Sequence, residues 1–131
     1  MGEGFGDYFA ASVAGQLSGG FQDLCLADWD ATSYSSSNPP CQRRLDGTKH
    51  YPESVVGEVH DDGEIWSRAL WDIRNAVGHT KADTLILQGS FDFPGTTMTD
   101  LANRTVAAAQ SLYGTATAKA VRKAFQDRGI L

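Results

Sequence analysis

The sequence predicts a mainly α-helical domain, an orthogonal bundle of about five helices that carries one long irregular loop. Three observations lead to this fold class. Apolar residues recur at helical spacing through most of the chain, the alternating patterns typical of strands are nearly absent, and glycine or proline marks the ends of the periodic segments. The 131 residues are 41% hydrophobic and 21% charged, which is enough for one globular domain, residues 1–131, with its own core.

The first predicted helix runs from Gly2 to about Gln16 and is ended by the breaker Ser18-Gly19-Gly20. Its apolar side chains recur at helical spacing, which predicts one buried face. That face consists of Phe5, Tyr8, Phe9 and Val13. The glycines at positions 2, 4 and 6 do not form a nucleotide-binding loop, because their spacing is G-x-G-x-G and no strand precedes them.

The segment from Phe21 to Pro52 is predicted to be a long irregular loop, because it is rich in serine, asparagine, proline and glycine. A loop of this length inside a compact domain is uncommon unless it is functional, so it is a candidate for lining a site. The two cysteines, Cys25 and Cys41, both lie in this loop. Their spacing suits a disulfide in an oxidising compartment better than a metal-binding pair.

Beyond Pro52 the helical period returns. The central helix has a wide apolar stripe that must be buried, and Gly78 ends it. The stripe consists of Ile65, Trp66, Ala69, Leu70, Ile73 and Val77. A short helix then follows, and Thr80 with Asp83 resembles a capping box at its start.

Two further helices are predicted, over Thr99 to Tyr113 and Thr117 to Arg128, with Gly114 as the stop between them. Each has an apolar face directed at the core. In the first, that face consists of Leu101, Ala108, Ala109 and Leu112; in the second, it consists of Val121, Ala124 and Phe125.

Charge and hydropathy exclude two classes of partner. Eleven basic and sixteen acidic residues give a formal charge of −5, and neither sign forms a long run. We therefore expect no binding to nucleic acid or to an anionic membrane surface. No stretch approaches the roughly 20 apolar residues of a membrane span, and the first residues lack the pattern of a signal peptide.

Three segments resemble one protein family. Residues 2–8, GEGFGDY, resemble the third-ligand helix of zinc metallopeptidases of the thermolysin and fungalysin type. Residues 57–66, GEVHDDGEIW, resemble the fungalysin-like stretch whose histidine stands at the entrance to a long helix. Residues 107–114, AAAQSLYG, together with the helix after them, resemble the two closing helices of thermolysin-like enzymes. The three matches follow the family's order and span nearly the whole chain.

The resemblance implies specific roles. Glu3 would be the third zinc ligand, and Asp7 would orient a histidine ligand of the same metal. His60 would donate a hydrogen bond to the oxyanion of the tetrahedral intermediate. Either Arg43 or Arg44 would lie near the substrate carbonyl, with a slight preference for Arg44 because an apolar residue and a turn follow it.

Other residues near these positions have open or unrelated roles. The acid that supports His60 is either Glu58 or Glu53. His50 and His79 are assigned to surface or capping roles, since neither has a metal-ligand partner at helical spacing. Calcium, which enzymes of this family often bind for stability, is a further possible ligand. The acids that could contribute oxygens to it are Asp23, Asp28, Asp30 and Asp46, although their spacing fits no EF-hand loop.

The family's H-E-x-x-H motif does not occur in these 131 residues, so two zinc ligands and the general base are missing. We therefore expect the chain to be inactive alone, as the C-terminal lobe of a secreted zinc endopeptidase. Its partners would be the N-terminal catalytic lobe of the same polypeptide and a peptide or protein substrate. Exposed apolar surface is expected beside the first seven residues and His60. The alternative is a non-catalytic helical protein-interaction domain in which Glu3, Asp7 and His60 are surface polar groups.

Overall fold

The computed structural model describes residues 1–21 and 24–131 and confirms that the domain is mainly helical. Five long helices and one short one are joined to a very small antiparallel sheet. In chain order the elements are α1 Gly2–Ser18, β1 Cys25–Leu26, α2 Asp28–Ala31, β2 Arg43–Arg44, α3 Val59–Val77, α4 His79–Ser90, α5 Met98–Tyr113 and α6 Thr115–Gln126.

Helix α3 is the centre of the bundle. It packs against α1, α4 and α6, and α5 completes the bundle by packing on α4 and α6. The predicted stripe of α3 is buried as far as Ile73, with Val77 partly buried. Within this core the indole of Trp66 stacks on the ring of Phe125 from α6, with the ring centroids 5.2 Å apart. Large apolar side chains at helical spacing therefore identified the central helix correctly.

The predicted helix boundaries are confirmed at two glycines. Gly78 ends α3, and Gly114 separates α5 from α6, as the sequence indicated. The buried face of α6 is also as predicted. In α5, Leu101 and Ala109 are buried, but Leu112 is 43% exposed, so its predicted inward position is wrong.

The buried face of α1 differs from the prediction. Val13 is 52% exposed, and Phe5 and Phe9 are only partly buried. The face that packs on the core consists of Gly4, Asp7, Tyr8, Ala11, Ser12 and Gly15. Most of these residues are small or polar, because α1 lies very close to α3, and an apolar pattern does not reveal such a face.

The predicted capping box at the start of α4 is wrong. Gly78 is the N-cap of α4, and the Thr80 hydroxyl lies 3.1 Å from Nε2 of the neighbouring His79. The Asp83 carboxylate instead accepts hydrogen bonds from the Tyr8 hydroxyl at 2.6 Å and the Ser12 hydroxyl at 3.1 Å, both on α1. Burial, followed by this bond to Asp83, raises the pKa of Tyr8 far above its ordinary value.

The long loop between α1 and α3 contains more structure than predicted. Strands β1 and β2 pair in antiparallel register, with Cys25 opposite Arg44. The short helix α2 belongs to the connection between the two strands along the chain. A disulfide joins Cys25 to Cys41 across this segment, and Leu45 is completely buried. The segment is thereby held against the face where α1 and α3 meet. In the part of the chain described here, no helix is both long and apolar enough to span a membrane.

Candidate functional site

The crossing of α1 and α3 brings Glu3 next to His60. At the crossing Gly4 lies against Gly63, and a Cβ placed on Gly4 would be 2.2 Å from the carbonyl oxygen of Gly63. Only a residue without a side chain allows two helix backbones to approach so closely. As a result, Oε2 of Glu3 lies 3.4 Å from Nε2 of His60.

His60 stands in the first turn of α3, supported by the residue that caps this helix. One carboxylate oxygen of Glu58 accepts from the backbone N–H groups of His60 and Asp61, at 3.1 and 2.8 Å. The other lies 2.8 Å from Nδ1 of His60. The structure therefore favours Glu58 over Glu53, whose carboxylate instead lies 3.9 Å from Nδ1 of His50. The hydrogen bond with the His60 ring, followed by the two backbone bonds, lowers the pKa of Glu58 to about 2.

Asp7 and Arg43 form a bidentate ion pair. Nε and Nη2 of Arg43 each donate to one oxygen of the Asp7 carboxylate, both at 2.6 Å. The Asp7 side chain is 7% exposed and that of Arg43 is 21% exposed. This bond, opposed by partial burial, raises the pKa of Arg43, so the guanidinium stays charged. Asp7 thus fixes the arginine of the loop against α1.

The two candidate arginines have different surroundings. Arg43 lines a cleft that also includes His60. Arg44 forms an ion pair with Asp46, with Nη2 2.7 Å from Oδ2, and does not line this cleft. The slight preference for Arg44 is therefore not supported by the geometry, which favours Arg43 as the arginine that shares a cleft with His60.

The cleft has a volume of about 320 Å³ and is lined by polar and charged side chains. Its lining residues are Gln42, Arg43, Glu58, His60, Asp61 and Glu64. Three of them, Gln42, Asp61 and Glu64, were not among the candidates identified from the sequence. Glu64 follows His60 by four positions and so lies on the same side of α3, a spacing that could have revealed it.

Lys49, which lies in the loop, forms ion pairs with two acids of this cleft. Its Nζ lies 2.5 Å from Oδ1 of Asp61 and 2.7 Å from Oε2 of Glu64. Partial burial alone would lower the pKa of Lys49, but its hydrogen bonds to these two carboxylates raise it. The ammonium group therefore remains charged at neutral pH and compensates acidic charge beside His60.

The described residues do not by themselves fit a zinc ion. Among them, no group of three or more His, Cys, Asp or Glu side chains is arranged to hold a metal. Glu3 supplies one carboxylate, and its side chain is 46% exposed. For calcium, Asp23 lies outside the described residues. Asp30 accepts from the Tyr34 hydroxyl and Asp46 is paired with Arg44, so these two carboxylates already have partners.

Two apolar side chains within four positions of His60 in the chain are exposed to solvent. They are Val56 at 69% and Val59 at 61%.

Comparison with known proteins identifies no relative, since no family model, no curated protein and no solved structure matches this chain. Any function assigned to the chain therefore rests on its sequence motifs, its fold and its side-chain geometry.

Proposed function

We propose that this chain is the C-terminal lobe of a secreted zinc-dependent endopeptidase similar to thermolysin and fungalysin. The observation that supports this proposal best is the meeting of Glu3 and His60 at the Gly4–Gly63 crossing. Two segments 57 positions apart, each chosen for its resemblance to the same family, lie side by side in the fold. A chance resemblance in either segment gives no reason for that proximity.

The arrangement around His60 suits a hydrogen-bond donor to an oxyanion. Nδ1 faces the Glu58 carboxylate and Nε2 faces the Glu3 carboxylate. Nε2 donates to an oxyanion only if it carries a proton, so the form of the ring that serves both contacts is the one with an N–H on each nitrogen. The His60 side chain is 49% exposed, and the contact between Nδ1 and Glu58 at 2.8 Å is what orients its ring. A donor that is already oriented stabilises developing negative charge without further reorganisation.

Arg43 would act beside His60 on the substrate carbonyl. Its guanidinium has five N–H donors, and Asp7 accepts from only two of its nitrogens. The third nitrogen is therefore not used by this pair. A planar guanidinium held in this way suits a carbonyl oxygen better than a mobile lysine would.

In this proposal Glu3 would provide one ligand to a zinc ion, and the remaining ligands would come from an H-E-x-x-H segment outside these residues. Zinc in such enzymes supplies Lewis acidity at the scissile carbonyl. Asp7 can still accept from the ring N–H of a histidine ligand while paired with Arg43, because each carboxylate oxygen has two lone pairs.

The first experiment is to read the coding sequence upstream of Glu3. An H-E-x-x-H motif a few tens of residues before it is expected. Absence of that motif from the parent gene would refute the peptidase proposal and favour the non-catalytic interaction domain.

The second experiment measures zinc binding by the isolated chain with isothermal titration calorimetry. With one carboxylate ligand available, binding no tighter than about millimolar is expected, because stable zinc sites use three or four protein ligands. A tight one-to-one site would contradict the proposal that the other ligands lie elsewhere.

The third experiment uses the intact peptidase. His60→Ala should lower kcat by about 10²–10³-fold, the usual loss for one oxyanion donor, and should leave the zinc content unchanged. His79→Ala, at an exposed histidine on α4, is the matched control and should have no effect. Unchanged activity in His60→Ala would show that His60 has only a structural role.

A further inference from the structure

The Glu64 side chain fastens the loop strand β2 to helix α3. Its Oε1 accepts from the backbone N–H of Arg44 at 2.9 Å. Its Oε2 lies 2.7 Å from Nζ of Lys49. Glu64 is only 19% exposed and lines the cleft with His60 and Arg43. One carboxylate thus holds both β2 and the segment that follows it.

Lys49 extends this attachment to the first turn of α3. Besides Glu64, it donates to the backbone carbonyl of Asp61 at 3.1 Å and contacts the Asp61 carboxylate at 2.5 Å. Asp61 directly follows His60 in the chain. The loop is therefore tied to the same helical turn that carries the histidine.

These bonds are important because the sheet itself holds β2 only weakly. Each strand has only two residues, and isolated two-stranded pairs are marginally stable. The side chain of Arg43 is tied to α1 through Asp7, whereas the backbone of the next residue is tied to α3 through Glu64. Arg43 is thus held from both helices of the crossing.

We propose that Glu64, braced by Lys49, is a positioning residue that fixes Arg43 relative to His60. Its effect on catalysis rests on the proposed function above, whereas its effect on the position of Arg43 does not. Substrate-positioning errors of about 1 Å can cost roughly 100-fold in rate, so such a residue influences turnover without touching substrate.

The isolated chain tests the positioning by NMR, through solvent exchange of the Arg43 Nε–H that donates to Asp7. Glu64→Ala removes both attachments and should speed this exchange by about tenfold or more, because β2, which is still held by the disulfide and by Leu45, separates from α3 more often. Glu64→Gln keeps an oxygen acceptor for the Arg44 N–H but loses the charge that pairs with Lys49, so it should have an intermediate effect. Asp127→Ala, which removes the exposed carboxylate that pairs with Lys123 at the C-terminal end of α6, is the control and should have none.

Exchange at Arg43 that stays within about twofold of the wild type in both Glu64 variants would overturn the inference. Should Glu64→Ala fail to fold, Glu64→Gln and Lys49→Met decide the question in the same way. The inference also fails if exchange rises equally throughout the bundle, because the variant would then have lost global stability and not local positioning.

The intact peptidase provides a separate measurement. There, Glu64→Ala should lower kcat by about 10- to 100-fold with little change in KM, and Glu64→Gln should recover part of the loss. A parent protein without peptidase activity refutes the proposed function, while the NMR result still decides the position of Arg43. Equal kcat in an active Glu64→Ala enzyme refutes the catalytic part of the inference.

Discussion

Gly4 of α1 and Gly63 of α3 lie in direct backbone contact, and this contact sets the distance between Glu3 and His60. A Cβ on Gly4 would lie 2.2 Å from the Gly63 carbonyl oxygen, whereas a Cβ on Gly63 would lie 3.1 Å from the Gly4 nitrogen, so Gly4 is the position that most strictly excludes a side chain. Three glycines, at positions 2, 4 and 6, surround Glu3 in the sequence, and a glycine allows another backbone to approach closely. Of the three, Gly4 has this role, since within the described part of the chain no neighbour lies within 4 Å of a Cβ placed on Gly2 or Gly6.

Gly4→Ala should therefore destabilise the domain and separate Glu3 from His60. Overpacking against a backbone carbonyl costs about 1–3 kcal/mol or more, which exceeds the gain in helix propensity from alanine. Gly6→Ala, two positions away and with open space around it, should instead stabilise by about 0.5–1 kcal/mol. Urea unfolding followed by circular dichroism compares the two, and a Gly4→Ala variant at least as stable as Gly6→Ala would contradict the close crossing.

The Asp7–Arg43 pair should contribute far more to stability than the exposed pair formed by the next arginine. Asp7→Ala leaves the Arg43 guanidinium partly buried and unpaired, which should cost about 3 kcal/mol. Asp46→Ala removes the partner of Arg44, a carboxylate that is more exposed than that of Asp7, and should cost about 1 kcal/mol or less. Thermal denaturation of both variants is the measurement. Equal losses would mean that Asp7 has no special role in fixing the loop.

The hydroxyl of Tyr8 should be important for the contact between α1 and α4. Tyr8→Phe removes a hydrogen bond to a carboxylate, and such bonds contribute about 1.5–3 kcal/mol. The matched control is Tyr34→Phe, which removes an exposed bond to Asp30 at 2.9 Å and should change the unfolding free energy by less than about 0.5 kcal/mol. Chemical denaturation measures both, and similar small effects would indicate that the bond to Asp83 is not formed in solution.

Acid should weaken the start of α3 through Glu58. The pKa of Glu58 falls from 4.5 to about 2 in the folded protein, so its bonds stabilise the fold fully above pH 4.5 and are lost as the pH falls toward 2. In this window the unfolded chain binds the proton more readily than the folded one, so stability decreases as the pH falls. Glu58→Gln should flatten the dependence of Tm on pH between these values. Glu53→Gln is the exposed control, and identical slopes for the two variants would contradict the assignment.

The parts of the fold that the sequence revealed are those built from large apolar residues. Helix α3 and helix α6 bury such residues at helical spacing, so periodicity located them. The packed face of α1 was predicted correctly only at Tyr8, because the rest of it depends on small residues such as Gly4, Ser12 and Gly15, which an apolar pattern does not reveal. The sheet was missed because strands of two residues are too short to alternate.

The candidate site was only partly predictable for a similar reason. Motif resemblance identified Glu3, Asp7 and His60, but the choice between Arg43 and Arg44 depends on contacts between distant segments. Asp7 and Arg43 are 36 positions apart, and no local pattern connects them. Asp83, interpreted as a local cap, pairs with Tyr8 from 75 positions away. Pairings of this kind depend on the packed fold, which a linear pattern does not contain.

Glu58 begins helix α3 and orients His60 with the same carboxylate. Shorter side chains such as aspartate or serine are usually preferred at a helix N-cap, but they lack the extra methylene that lets one carboxylate reach both the backbone N–H groups and the imidazole. Glu58→Asp should therefore keep the helix start while it releases the ring. The two contacts therefore have different requirements at this position, because the helix start is served best by a shorter side chain, whereas the contact with the imidazole requires the longer one.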